Sequence, residues 1–489
     1  MSNWQDIFEK LDNYRFKLPK TFKPGMRTDG LIYADEAMID HIFKENAHIQ
    51  VANVACLPGI VGNSLAMPDI HFGYGFPIGG VAAFDPDNEG IISPGGVGYD
   101  INCGVRVLRT DLERKDIEPK LKDIVAALAT NVPSGVGSES DLSLSKKDLD
   151  KLLVEGSAWA VKHGYGTGDD IEHTEARGAL PGADPSLVSS RAKERGTSQQ
   201  GTLGSGNHFL EVQYIEEIYD EKIAAAWGLF VGQVTIMVHS GSRGFGHQVC
   251  TDYIQVMQKA AQKYGIKLPD RQLCCAPVSS PEGKDYFGAM AAAANYAWCN
   301  RQMLMHWTCE TFAQVVGGSR SKLGINLVYD VAHNIAKMEK HRVKDQDREK
   351  DKVLCVHRKG ATRAFPAGHP ELSADYKATG QPVLIPGDMG RYSYLLVGTD
   401  LAMKETWGSV CHGAGRMMSR SEATRTYRAG QLVADLEKKG IYVRSTSKKG
   451  LVEEAPGAYK DVREVVGVVH NSGLARKIAK MRPMCVVKG

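Results

Sequence analysis

Five side chains able to hold a metal ion recur beside glycines or hydrogen-bonding turn residues. Asp100 and Cys103 lie in Gly98-Tyr99-Asp100-Ile101-Asn102-Cys103-Gly104. His208 lies in Gly204-Ser205-Gly206-Asn207-His208-Phe209-Leu210-Glu211, and His239 in His239-Ser240-Gly241-Ser242-Arg243-Gly244. His333 follows Val331-Ala332 and precedes Asn334. A sixth residue, His412, sits apart in Cys411-His412-Gly413-Ala414-Gly415-Arg416. Mixed Asp, Cys and His ligands scattered from 100 to 333 imply a metal site assembled by the fold. A local zinc knuckle would instead show closely spaced pairs.

Asp100 and Cys103, three residues apart on a glycine-flanked turn, can point at one ion, and a thiolate can bridge two. A turn-capping Asp and a buried free Cys explain this pair equally well. His208 alone would be an ordinary satisfied histidine. His239 carries more weight, because a strand-end His followed by small residues and Arg243 suits a metal with a phosphate. His333-Asn334 repeats that arrangement. Around His412, open glycine amides, Arg416 and a following helix make a phosphate cradle. A histidine there can serve as base, ligand or nucleophile toward phosphorus.

Rigid elements must present these groups. Val234 to Val238 reads as a buried strand ending at His239, and Asn326 to Tyr329 as another ending before His333. Ile78 to Phe84, Val105 to Leu108, Val383 to Ile385 and Tyr394 to Val397 also read as strands. Asp85 to Asn88 and Pro386 to Gly390 read as turns. A helix is expected over 116–130, with Asp116 as N-cap. Others are expected over 247–316, including the alanine-rich run 289–298, and over 419–438. Residues 138–200, rich in Gly, Ser and charge, read as a long surface excursion. No repeat or linker divides the chain, so one catalytic domain over 1–489 is expected, with a helical insertion at roughly 247–316.

The chain has 489 residues, 52 of them glycine, and a formal charge of +3. Near-neutral charge excludes a globally basic nucleic-acid binder, so any basic groove must be local. Its 10 cysteines are dispersed without a disulfide framework, which fits a reducing compartment. The polar N-terminus lacks a signal core, and the most apolar stretch, 291–298, is too short to span a bilayer. The expectation is a cytoplasmic protein with no membrane association. Local basic sets are Arg177, Arg191, Lys193 and Arg195, and Arg476, Lys477, Lys480 and Arg482.

Taken in order, further motifs carry a resemblance. They are Met67-Pro-Asp-Ile-His71, Pro386-Gly-Asp-Met-Gly390, Glu454-Ala-Pro-Gly-Ala-Tyr459 and the terminal Val486-Val-Lys-Gly489. With the ligand motifs, the chain resembles the RtcB family of RNA-splicing ligases over essentially its whole length. The resemblance implies an α+β fold, with mixed sheets around a central metal and nucleotide cleft. It implies joining of an RNA 3′-phosphate or 2′,3′-cyclic phosphate to a 5′-hydroxyl, in tRNA splicing or RNA repair, using GTP and two Mn²⁺ ions. Cys103 would bridge the ions, with Asp100 and His208 on one and His239 and His333 on the other. His412 would be the nucleophile that takes GMP. Asn207, His208, Phe209, Leu210, Glu211, His333, Asn334, Ser393 and Lys488 would hold the nucleotide. So would Pro386, Gly387, Asp388 and Met389, with His412, Gly413, Ala414 and Gly415. Asp69, Arg243 and Arg416 match positions in or near the active site, and Tyr459 would pack near guanine. Asp388 stands where some members have Ser, and Cys485 where Gly is common. An archease-type activator is a further partner the resemblance raises.

Manganese comes from the resemblance alone, since Cys and His ligands by themselves favour zinc. Two other readings use the same residues. One is a dinuclear phosphoesterase without covalent chemistry at His412. The other is a non-catalytic RNA-binding scaffold.

Overall fold

Aliphatic and β-branched runs build two large sheets in the computed structural model, which describes residues 3–140, 142, 144–345 and 348–489. One sheet has seven strands, in the order Glu9–Lys10, Arg15–Leu18, Gly30–Tyr33, Ile60–His71, Ile78–Phe84, Arg348–Lys359 and Asn334–Asp345. The other has eight. Its main order is Asn326–Ala332, Gly104–Glu113, Gln233–Ser240, Phe209–Ile218, Ala475–Lys488, Ser393–Gly398 and Pro382–Ile385. Tyr442–Ser445 runs parallel to Ala475–Lys488. The strands expected from the apolar runs are all present, so the mixed α+β architecture holds.

Four neighbouring strands of the eight-stranded sheet carry the ligands at one shared end. Val105 pairs with His239, Phe209 pairs with His239, and Ala332 pairs with Gly104. Cys103 and His208 therefore precede strands that start at this end, while His239 and His333 sit where antiparallel neighbours finish. The chain crosses from one sheet to the other at His333, since Asn334 opens an edge strand of the seven-stranded sheet.

A 36-residue helix, Pro281–Val316, backs this sheet. Ser280 caps its start by accepting from the Gly283 N–H, Pro281 occupies the first turn, and Gly317 ends it at φ +98°. Ala289 to Ala294 are fully buried, and small side chains there let neighbouring helices approach closely.

Several expected elements differ. The helical region 247–316 is two helices, Arg243–Lys263 and Pro281–Val316, separated by a turn containing Pro269 and the short strand Ala276–Pro277. The supposed surface excursion is a packed helical layer. Lys146–Glu155, Ser157–Lys162 and Ser190–Thr197 bury Leu149, Leu152, Leu153, Trp159 and Ala192 in the core around the long helix. Its polar composition masks three- and four-residue spacing that gives each helix one apolar face. Asp116 caps from inside the helix: it lies in the first turn of Arg114–Ile117, accepting the Glu113 N–H at 2.8 Å. Pro119 then separates that turn from Leu121–Asn131. The helix expected over 419–438 breaks at Tyr427 and Arg428, both extended, into Arg420–Thr426 and Ala429–Lys438. The break turns Leu432 and Leu436 onto Met389.

All 10 cysteines are unpaired thiols. Cys485 is in the core, donating to the Leu121 carbonyl at 3.3 Å. Among the described residues no helix is long and apolar enough to cross a membrane. The long helix fails because charged and amide side chains interrupt it throughout.

Candidate active site

Donor atoms converge at the shared strand end. Cys103, His239 and His333 form one group whose ligand atoms lie within 4.8 Å of one another, and Asp100, Cys103 and His208 form a second. Cys103 belongs to both, and its Sγ lies 3.4 Å from His208 Nε2 and 3.2 Å from His239 Nε2. His239 Nε2 and His333 Nε2 are 3.3 Å apart. His208 Nε2 is 2.8 Å from Asp100 Oδ2.

Tautomers follow from the outer contacts. His208 Nδ1–H donates to the Leu203 carbonyl at 3.0 Å, which leaves the Nε2 lone pair facing Cys103 and Asp100. Asp100 Oδ1 accepts from the Ser242 N–H at 2.9 Å and from its hydroxyl at 3.2 Å, leaving Oδ2 toward the cluster. Burial, reinforced by nearby His208 and His412, holds His239 well below the usual histidine range. Burial, with His412 and His239 adjacent, does the same for His333. Neutral imidazoles are what a metal needs. Burial pushes the Cys103 thiol well up, so only a bound cation would make the thiolate favourable there. Gly241 is required beside this site, because a Cβ there would lie 2.3 Å from the Asp100 carboxylate. The donor set therefore fits two divalent cations sharing one sulfur.

Arg301, from the long helix, ties the ligand-bearing backbones together. Its Nη1 donates to the Asn102 carbonyl at 2.7 Å and to the Ser240 carbonyl at 3.0 Å, each adjacent to a ligand. Its Nε and Nη2 hold both oxygens of Asp330 at 2.8 Å, and Arg106 Nε reaches the same carboxylate at 2.9 Å. All three side chains are fully buried. Arg301→Met should therefore lose about 3–5 kcal/mol of stability, because Asp330 and two carbonyls lose buried donors. Urea unfolding of the metal-free protein measures this; a loss below about 1 kcal/mol would contradict it.

His412 follows the short strand Ser409–Cys411. Asp69, fully buried, accepts three of its neighbourhood's donors: His412 Nδ1–H at 2.5 Å, His412 N–H at 2.9 Å and Gly413 N–H at 3.3 Å. Burial would raise this carboxyl, but His412, with Lys460 nearby, holds it below its ordinary value. The ring's Nε2 has no hydrogen-bond partner among the described residues. The His412 ring lies 4.9 Å from that of His333, so the two face one space. Gly415, at φ +74°, lets this loop cross Asp69: a Cβ would sit 2.3 Å from the Asp69 carbonyl oxygen.

That space is a cleft of about 300 Å³. Asn207, Phe209, Glu211, Asn334, Pro386, Gly387, Asp388, Met389, Gly413, Ala414, Gly415 and Lys488 all line it with Cys103, His239, His333 and His412. Asp100 and His208 join through the ligand cluster. Two expected residues lie behind its wall. Leu210 is buried in the core under the sheet, because alternation along Phe209–Ile218 turns it away from Phe209. Ser393 is buried too, accepting from Gln213 Nε2 at 3.2 Å and bracing the turn through the Gly387 N–H at 3.4 Å.

Charge in the cleft is finely set by burial. Desolvation pushes Glu211 up to about 8 and Asp388 up to about 6. Asp388 Oδ1 accepts the Gly390 N–H at 2.9 Å, while Oδ2 has no hydrogen-bond partner among the described residues and pairs with Arg391 Nη1 at 3.4 Å. Lys488 Nζ donates to the carbonyls of Gly206 at 3.0 Å and His208 at 3.3 Å. Arg416 lies over the Tyr459 ring at 5.0 Å and reaches Glu454 at 3.2 Å. Arg243, at φ +54°, donates to Thr202 Oγ1 at 3.2 Å.

Tyr74, Tyr99, Lys359 and Arg420 also line the cleft and were not anticipated as site residues. A signal existed for Tyr74 in the alternation of aromatics and glycines over 71–76. Lys359 Nζ donates to the carbonyls of Tyr74, Phe76 and Gly95, and burial brings it down to about 7.

The two basic sets fare differently. Lys480 and Arg482 pair with Glu216, Lys480 also with Glu217, and Arg476 with Asp220. Strand register sets Glu217 opposite Lys480, and with Glu216 in the adjoining bulge and Asp220 just past the strand the C-terminal set is largely neutralised. Arg177 pairs with Glu172 and Lys193 with Asp150. Arg191 and Arg195 are exposed without a carboxylate partner among the described residues.

Known proteins show the same pattern of similarity along the chain. A family model described as "tRNA-splicing ligase RtcB" matches residues 50–489. The Archaeoglobus fulgidus protein named tRNA-splicing ligase RtcB is 57% identical over 487 residues, covering all of both chains. Proteins of that name from Thermococcus kodakarensis and Methanococcus maripaludis are 55% and 53% identical, each over 98% of this chain and at least 98% of their own. With its whole length matched, and with six metal- and phosphate-competent side chains gathered in one cleft, the chain belongs to the RtcB family.

Proposed function

We propose that the chain is an RNA ligase of tRNA splicing or RNA repair. In this reading it joins an RNA 3′-phosphate or 2′,3′-cyclic phosphate end to a 5′-hydroxyl end and consumes GTP. One observation carries the covalent step: His412 Nδ1–H is held by Asp69 while Nε2 faces the space shared with His333. An imidazole fixed in that tautomer offers a lone pair, not a proton, to the cleft.

Asp100, Cys103, His208, His239 and His333 would hold two Mn²⁺ ions, with Cys103 between them. Bound ions would polarise phosphate oxygens and offset developing negative charge. His412 Nε2 attacks the α-phosphorus of GTP, a P–N bond forms and pyrophosphate leaves. Asp69 stabilises the imidazolium that results. The GMP then passes to the RNA 3′-phosphate, freeing His412, and the 5′-hydroxyl displaces GMP to close the phosphodiester. A cyclic phosphate must first be opened by water. Asp388 Oδ2, buried and ion-paired only at 3.4 Å with Arg391, would accept from guanine N–H groups, with Tyr459 and Met389 as apolar walls. Lys488, Asn207 and the 412–415 amides would meet the phosphates.

The phosphoesterase reading needs the ligands but not the Asp69–His412 pair, so that pair favours the ligase. Incubation with α-labelled GTP and Mn²⁺ should give a labelled protein that is stable to alkali and labile to acid. No label under any divalent metal would leave the phosphoesterase or scaffold reading standing. Metal analysis of the purified protein, with Zn²⁺ substitution, distinguishes manganese from the zinc that the donor set by itself favours. An archease-type activator would show as multiple turnover only on its addition.

A further inference from the structure

Aromatic rings from three separate segments meet at the cleft and continue to the surface. Tyr74 comes from the loop after Ile60–His71, Tyr99 directly precedes Asp100, and His247 lies on Arg243–Lys263. Tyr74 and Tyr99 line the cleft and touch edge to face at 5.4 Å and 65°. Tyr99 then stacks on His247 at 4.7 Å and 27°. Neither tyrosine hydroxyl has a hydrogen-bond partner among the described residues, and His247 is exposed. Arg195 is exposed beside this end, donating to Gln248 at 3.1 Å and lacking a carboxylate partner among the described residues.

The loop bearing Tyr74 is pinned far more firmly than solvent exposure requires. Gln50 accepts the Gly73 N–H at 2.9 Å and donates to the Gly73 and Gly75 carbonyls at 2.6 and 3.1 Å. Gln272 accepts the Gly75 N–H at 2.9 Å, and Lys359 donates to the Tyr74 carbonyl. The same loop shows Phe72 to solvent at 59% exposure. Rigidly displayed, half-open rings beside an unpaired arginine are the features of a single-strand nucleic-acid platform, where bases stack and a cation meets the backbone. The position also fits. His412 stands toward His333, whereas Tyr99 adjoins Asp100, the ligand grouped with His208.

We propose that Tyr74, Tyr99 and His247, continued by Arg195, form a stacking track that seats the terminal bases of a single-stranded RNA end and leads its phosphate to the Asp100 side of the cluster. This rests on the ligase reading. Sequence preference should be weak, since every base has a stacking face.

Short single-stranded RNAs carrying 4-thiouridine at the last position, with either a 3′-phosphate or a 5′-hydroxyl at that end, test it on the full chain with Mn²⁺. Crosslinks should map to Tyr74, Tyr99 or His247, and the RNA that gives them identifies which end is seated. Tyr74→Leu and His247→Ala should each weaken RNA binding about 5- to 150-fold, with Tyr74→Phe close to the parent. Arg195→Gln should lower the log–log salt slope of RNA binding by about 0.7. His247→Ala and Arg195→Gln should guanylylate at the parent rate without RNA. Unchanged RNA affinity in Tyr74→Leu and His247→Ala, or crosslinks confined elsewhere, overturns the track. Absence of guanylylation in the parent protein would instead sink the ligase reading beneath it.

Discussion

Replacing His412 by alanine should abolish covalent GMP transfer while both metal ions still bind. The expected fall in guanylylation is about 10⁴-fold or more, because His412 Nε2 is the nitrogen that would form the P–N bond and the substitution removes it. Metal binding should persist because neither ligand group includes His412. Labelled GTP gives the first readout, and calorimetry or paramagnetic resonance with Mn²⁺ gives the second. Asp69→Asn makes the companion case. It keeps the nucleophile but replaces the charged acceptor of Nδ1–H and both backbone amides by a neutral amide, so a smaller loss of about 10²- to 10⁴-fold is expected. A His412→Ala protein that still carries acid-labile GMP would refute the assignment outright. Loss of metal along with GMP would make His412 a ligand rather than a nucleophile.

Changing Cys103 to serine should release both ions together. The sulfur is common to the two ligand groups, and a thiolate's negative charge offsets repulsion between cations on either side. A neutral hydroxyl does neither. Outer-shell changes alone cost metal sites about 10- to 100-fold in affinity, so removing a shared ligand should cost each site about 100-fold or more. Titration should show one coupled loss. If one ion leaves and the other binds with parent affinity, the sulfur serves a single site and the bridge is wrong. Arg301 holds the Asn102 and Ser240 backbones whatever stands at 103, so the serine protein should remain folded.

Read from the chain alone, the ligand residues stood out because their chemistry is rare and their neighbours are glycines. So did the strands that carry them: an uninterrupted apolar run such as Val234 to Val238 has few other fates. His412 was legible for the same reason, as a histidine among open amides. Asp69 was legible only as part of a motif. That it grips Nδ1 and two amides depends on Gly415 letting one loop pass over another, a contact between residues more than 300 positions apart. Polar composition concealed the helical layer over 146–197, since amphipathic helices on a large core show only one apolar face in three or four residues. Leu210 followed its neighbours into the expected nucleotide set, yet strand alternation turns it into the core.

Local sequence thus determined which groups could do chemistry, which segments are strands, and that the metal site had to be assembled at a distance. Tertiary structure decided how they meet. Antiparallel register brings four strand ends together, so that Cys103 becomes the atom common to both ligand groups. Pairing of Ala475–Lys488 with Phe209–Ile218 brings Glu216 and Glu217 against Lys480 and Arg482, removing a basic run that composition left open. Packing of the 72–76 loop, the 98–103 turn and one helix aligns three rings that nothing in their spacing connects. The physical reason is that spacing constrains only neighbours along the chain. Charge neutralisation, shared ligands and ring contacts depend on distances in space, and those are set by register and core packing.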